Sequence, residues 1–130
     1  MSDELVYPAK DLQRAHPIAT TWRPALRAIV NALARGDFAV SAPVPGASVR
    51  VDGTTASQIK RYLAAFGEGL DVLPDETWST SVAQWMDGYW DVLVDLWTVE
   101  SGRTDLVLSA RVHEEEGDFV RVAVEGVYVP

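Results

Sequence analysis

The chain has no cysteine. Disulfides, thiol catalysis and thiolate metal sites are therefore excluded. It has two histidines, His16 and His113, too far apart in sequence to show ligand spacing. No apolar run reaches the roughly 18 residues of a membrane helix. The opening "MSDELVYPAK" lacks the apolar core of a secretory signal. The expectation is a cytoplasmic protein with no membrane contact. Phosphate-loop and nucleophile-elbow motifs are absent, and "GEG" (67–69) lacks the third glycine of a dinucleotide loop. No catalytic residue, metal ligand or cofactor is assigned. His113 with Glu114, Glu115 and Glu116 reads as a solvated turn.

Positive charge is scarce in one half only. Residues 1–67 hold eight basic against five acidic side chains, a balance of +3, whereas 68–130 hold three against fourteen, a balance of -11. The acidic half repels nucleic acid and favours a basic partner. The length of 130 residues, 48% of them hydrophobic, fits one domain with one core.

Residues 1–20 read as an irregular arm broken by Pro8 and Pro17, and 21–130 as a single α+β domain. Trp22, Leu26, Ile29, Val30 and Leu33 recur at helical spacing, which predicts a helix over 21–35 stopped by Gly36. Two prolines break 38–53, so Val49 and Val51 give a short edge strand at most. A second helix is expected to start with a Thr55–Gln58 capping box. From Trp78 onward the period becomes two. Strands are predicted at 78–86, 89–97, 104–112 and 119–129. The expected fold is α+β: two N-terminal helices on one face of a four-stranded antiparallel meander.

Two turns set the register. A two-residue turn at Asp87-Gly88 pairs Trp85 with Trp90 and Gln84 with Asp91. A three-residue loop ending at Gly102 pairs Leu96 with Leu106, Trp90 with Val112, Asp91 with Arg111 and Trp97 with Asp105. Trp85, Trp90, Val92, Val94, Leu96, Leu106, Leu108, Ala110 and Val112 then share one face, joined by Val120, Val122 and Val124. The other face mixes apolar residues, among them Val82, Met86, Val107, Phe119 and Val127, with carboxylates and arginines. The same register pairs Trp78 with Trp97, and a third turn ending at Gly117 pairs Arg111 with Arg121. The alternative to an open face is that the 1–20 arm or the 38–53 loop folds over it.

The aspartates are not a catalytic pair. Asp91 and Asp95 lie roughly 13 Å apart along one strand, too wide to straddle one bond. Cross-strand pairing, Asp91 with Arg111 and Asp95 with Thr80, explains them. An aromatic and acidic sheet face is an interface candidate. Its residues are Trp78, Tyr89, Asp91, Leu93, Asp95, Trp97, Asp105 and Arg111.

"HPIATTWRPALRAIVNAL" (16–33) and "YWDVLVDLWTVESGRTDLVL" (89–108) resemble an uncharacterised family of small bacterial single-domain proteins, a domain of unknown function. The resemblance implies a bacterial, stand-alone domain and supplies no catalytic residue. Small acidic proteins of this kind look like immunity or antitoxin proteins, an analogy from charge and size. The leading expectation is a non-enzymatic protein-binding module with a basic protein partner. Two alternatives stand beside it. One is a small-molecule binder or enzyme with a pocket between the open sheet face and the 38–53 loop. The other is self-association, as a homodimer through the open face.

Overall fold

Two glycine turns fix the middle of the sheet. Asp87 and Gly88 both take positive φ, 59° and 147°. The turn closes with Met86 N–H donating to Tyr89 C=O at 2.8 Å. Gly102, at φ 71°, closes the next hairpin. The computed structural model describes residues 5–130; residues 1–4 of the expected arm lie outside them. Its strands are β1 (His16–Pro17), β2 (Ala47–Arg50), β3 (Val82–Trp85), β4 (Trp90–Thr98), β5 (Gly102–Glu114) and β6 (Val120–Tyr128). Its helices are α1 (Arg23–Ala34) and α2 (Gly53–Phe66), with short 3-10 helices at Thr20–Trp22 and Asp75–Ser79.

The expected four-stranded antiparallel meander is corrected by this arrangement. The sheet is six-stranded and mixed, in the order β1-β3-β4-β5-β6-β2. The class remains α+β. One added strand, β1, comes from the arm read as irregular; the other, β2, is the short edge strand allowed near Val49, here paired parallel to β6. His16 and Pro17 pair antiparallel with Ala83 and Val82. Ala47 to Arg50 pair parallel with Val120 to Ala123. A parallel pair needs a long crossover, and here everything from α2 to β5 forms it. Both segments therefore join the sheet at its edges.

The central register follows the Asp87-Gly88 turn, while the second hairpin closes with Thr98 opposite Gly102 in place of Val99 opposite Arg103. Trp85 faces Trp90 and Gln84 faces Asp91. Trp90 faces Val112, Asp91 faces Arg111, and Val94 faces Leu108. Two irregularities then intervene. Between Asp95 and Trp97 the β4–β5 register shifts, and Trp97 meets Arg103 in place of Asp105. The Thr104 hydroxyl bridges the irregularity. It donates to Leu96 C=O at 2.8 Å and accepts from Leu106 N–H at 3.0 Å, standing in for ladder bonds. In the last hairpin Arg121 faces His113, and Arg111 faces Ala123. The like-charge Arg111–Arg121 pair is thus avoided. A second shift leaves Glu125 as an extra residue, and Val127 arrives opposite Leu108. The bulge turns Val127 from the expected outer face into the core, where it is buried.

The predicted strand over 78–86 is only four residues long. Trp78 belongs to the 3-10 helix and is buried. The chain there seals the β4 edge with side chains. The Thr77 hydroxyl donates to Asp95 C=O at 2.5 Å, and Asp95 N–H donates to the Ser81 hydroxyl at 2.9 Å. Further along, Asp71 N–H donates to Trp97 C=O and Val99 N–H to Gly69 C=O. Buried backbone groups need such partners, and these close the β4 edge from Asp95 to Val99.

The inner face carries the core. Trp90, Val92, Val94, Leu96, Leu106, Leu108, Ala110 and Val112 are all 0–1% exposed. Each large side chain there stabilises the fold by about 1.5–3 kcal/mol. Helix α1 begins with Pro24 in its first turn, where no N–H is needed, and buries Leu26, Ile29, Val30 and Leu33 in the same cluster. Trp22, just before α1, meets Trp90 edge-on at 4.9 Å. Helix α2 buries Ile59 and packs Leu63 and Phe66 beside it. The Thr55–Gln58 capping box does not form, because α2 starts earlier. The Asp52 carboxylate accepts from Thr55 N–H at 2.8 Å. A charged acceptor at a helix N-terminus is favoured over a hydroxyl. That bond holds the Asp52 pKa below its ordinary value.

Candidate functional site

The outer face of the sheet is organised by one arginine. Arg111 leaves the middle of β5, with Asp91 opposite on β4. Its Nε lies 3.7 Å from an Asp91 oxygen and 3.7 Å from a Glu125 oxygen. The guanidinium also sits over the Tyr89 ring at 4.8 Å. Tyr89 in turn stacks at a tilt against His113, 5.5 Å between centroids. Burial and the charges of Arg121 and Arg111 lower the His113 pKa, against a smaller opposing pull from Glu115. The imidazole therefore favours its neutral form. These groups neutralise one another and stay wet: the Asp91, Arg111 and Glu125 side chains are 44–46% exposed.

Five of the eight residues expected at the site share this face in order. Asp91, Leu93 and Asp95 alternate along β4, Arg111 stands opposite, and Tyr89 caps the end. Asp95 takes a hydrogen bond from the Thr80 hydroxyl. The other three sit differently. Trp97 is half-buried and packs against the core. Asp105 lies at the β4–β5 bulge, displaced from Trp97. Trp78 is not on this face at all. It lies in the core beneath Arg23 and Arg27, each guanidinium 5.5 Å from its ring centroid. Val107 is on the outer face but only 5% exposed, the one buried apolar residue outside the main cluster among the described residues.

Two of the exposed apolar side chains, Met86 and Phe119, stand at one end of the sheet, while others, Val99 and Val72 among them, lie elsewhere. Met86 is 43% exposed and Phe119 45%. Met86 flanks the β3–β4 turn and Phe119 closes the β5–β6 loop. Both connections leave the sheet at the end where Trp90 meets Val112. The carboxylates of this end divide into two sets. Glu114 pairs with Lys10 and Glu115 with Arg121. Asp87, Glu116 and Asp118 meet no cation among the described residues. Sequence reasoning noticed Met86 and Phe119 only as members of a face. Their nearness to the turn glycines was the available signal that they stand at its tip.

The 38–53 segment, the wall of a pocket in one of the alternatives, places Ala47–Arg50 at the sheet edge as β2. A cleft opens elsewhere, between the arm, the start of α1 and the 75–79 helix.

A small α+β domain emerges, with one face sealed by helices and the other built from paired charges. The chain belongs to the family described as Domain of unknown function (DUF7668), whose model matches residues 30–130. No curated protein and no solved structure matches it. No helix among the described residues is long and apolar enough to cross a membrane.

Proposed function

We propose that this chain is a non-enzymatic protein-binding module of a bacterial cell, acting in the manner of an immunity or antitoxin protein. Its contact surface is the hairpin end of the outer sheet face, and its partner is a basic protein. The supporting observation is that exposed Met86 and Phe119 stand on two connections at the same end of the sheet, which also carry Asp87, Glu116 and Asp118, carboxylates that meet no cation among the described residues. Apolar side chains that can be desolvated set the lifetime of a complex. Carboxylates around them steer a cationic partner and exclude an anionic one. The arginines of this face do not oppose that steering, because Asp91, Glu125 and Glu115 already neutralise them.

The test is capture from a bacterial lysate with the parent and two variants, followed by binding kinetics on the isolated partner. Met86→Ala with Phe119→Ala weakens the complex about tenfold or more, through faster dissociation. Glu116→Gln with Asp118→Asn slows association, and salt erases the difference. A partner held equally by the parent and both variants overturns the reading. So does an acidic partner, or a second copy of this chain as the only species retained.

A further inference from the structure

The cleft beside Trp78 draws its lining from both the basic and the acidic half of the chain. Its volume is about 530 Å³, within the range of small-molecule sites. Two guanidiniums lie against the Trp78 side chain, both 5.5 Å from the ring centroid. Arg23 is fixed there by its Nε and Nη2, which donate to Ile18 C=O at 3.2 and 2.9 Å. Arg27 is held by Asp75. Burial and the neighbouring Arg27 charge push the Arg23 pKa below its ordinary value, and Asp75 acts the other way.

The charges do not balance. Two cations line the cleft with one carboxylate, and that carboxylate is bonded to Arg27 and 93% exposed. One positive charge is left over, beside a wall made rigid by Pro17 and Pro24 and continued by Val6. Arginine forks match a carboxylate in geometry. Arg23 Nη1 and Arg27 Nη1 make no hydrogen bond among the described residues and remain as donors. The surplus of one charge suits a monoanion. A dianionic phosphate would meet repulsion from Asp75.

We propose that this cleft binds a small organic acid, its carboxylate taken by Arg23 and Arg27 and its apolar body laid against Val6, Pro17 and Pro24. The site is independent of the outer sheet face. Arg23 and Arg27 also fall outside residues 30–130, the part matched by the family model, whereas Asp75, Trp78 and Ser79 fall inside it. The site therefore draws residues from both inside and outside the matched part of the chain.

Calorimetric titration of the whole chain with benzoate, and separately with inorganic phosphate, tests it. Benzoate binds, and phosphate binds more weakly. Arg27→Gln weakens benzoate about tenfold or more, the worth of a charge-assisted hydrogen bond. Asp75→Asn tightens it about threefold, because it removes the opposing charge from an exposed position. A merely structural ion pair would not give that gain. Absence of benzoate binding, unchanged affinity in Arg27→Gln, weakened affinity in Asp75→Asn, or preference for phosphate each overturns the proposal. The Asp75 variant keeps the test decisive if Arg27→Gln proves unstable.

Discussion

Leu93 and Val94 are neighbours on β4 and live in different surroundings. Val94 is 0% exposed, opposite Leu108, in a cluster made of apolar side chains from α1, α2 and five strands. Leu93 is half-buried opposite Ser109, on the side that carries Asp91, Asp95 and Arg111. The backbone is common to both faces. What differs is the force that specifies each. The inner face is held by the removal of apolar area from water and tolerates no charge. The outer face is held by pairwise polar contacts in water, each weak, and it gains specificity of register more than stability.

The largest expected effect tests that division directly. Val94→Asp places a carboxylate among apolar side chains with no cation in the cluster. It destabilises the protein by about 3–5 kcal/mol, enough to unfold a marginal domain. Leu93→Asp, one residue away, costs about 1 kcal/mol or less. Chemical denaturation of the two variants decides, and similar midpoints would break the comparison of faces.

The same two faces mark what the sequence reveals and what it hides. The central register is legible because two separate turns, each with a glycine where positive φ is required, agree on one alternation. A one-residue slip would have buried Asp91 and Asp95. The outer strands lack such agreement. His16–Pro17 is two residues long, and Ala47–Arg50 follows two prolines. Neither is long enough for periodicity to register. Their partners are set by tertiary packing across a long crossover. The stretch "WSTSVAQW" (78–85) alternates like a strand, yet only Val82–Trp85 forms one, and beside it the hydroxyls of Thr77 and Ser81 replace the ladder for Asp95. The bulge at Glu125 did leave a trace. Val120, Val122 and Val124 keep period two, and Val127 breaks it next to Gly126. The residues of the expected interface were legible as a face for the same reason as the register. The cleft was not. Arg23 and Arg27 stand four apart on one side of α1, but no spacing in the sequence brings Asp75 and Trp78 to them.

A middle-sized effect belongs to the border between the faces, where the β4 edge is closed by hydroxyls. Thr77 is 1% exposed, and its hydroxyl donates to Asp95 C=O at 2.5 Å. Thr77→Val keeps the shape and leaves that carbonyl with a lost partner, at a cost of about 1–3 kcal/mol. Thr80→Val removes a hydroxyl that reaches the Asp95 carboxylate in an exposed position, and costs about 0.5 kcal/mol or less. The urea midpoints of the two variants should differ accordingly. Equal losses would mean that Thr77 acts through packing and not as the edge's hydrogen-bond donor.

The smallest effect sharpens the account of the outer face. Arg111 lies at the same 3.7 Å from Asp91 and from Glu125, and all three side chains are nearly half exposed. Asp91 alone is therefore not its counter-ion. Removing Asp91 leaves Glu125 in place, so the single variant understates the attraction. A double-mutant cycle between Asp91→Asn and Arg111→Gln isolates the pair, and a second cycle with Glu125→Gln isolates the other. Each coupling should be about 0.2–1 kcal/mol at low salt and shrink as salt rises past the point where the Debye length matches the separation. Removing both carboxylates together should cost more than either alone, since each compensates for the loss of the other. Zero coupling in both cycles at low salt would show that Arg111 is held by its contact with Tyr89, 4.8 Å away. The outer face would then be ordered by stacking, with its charges left free for a partner.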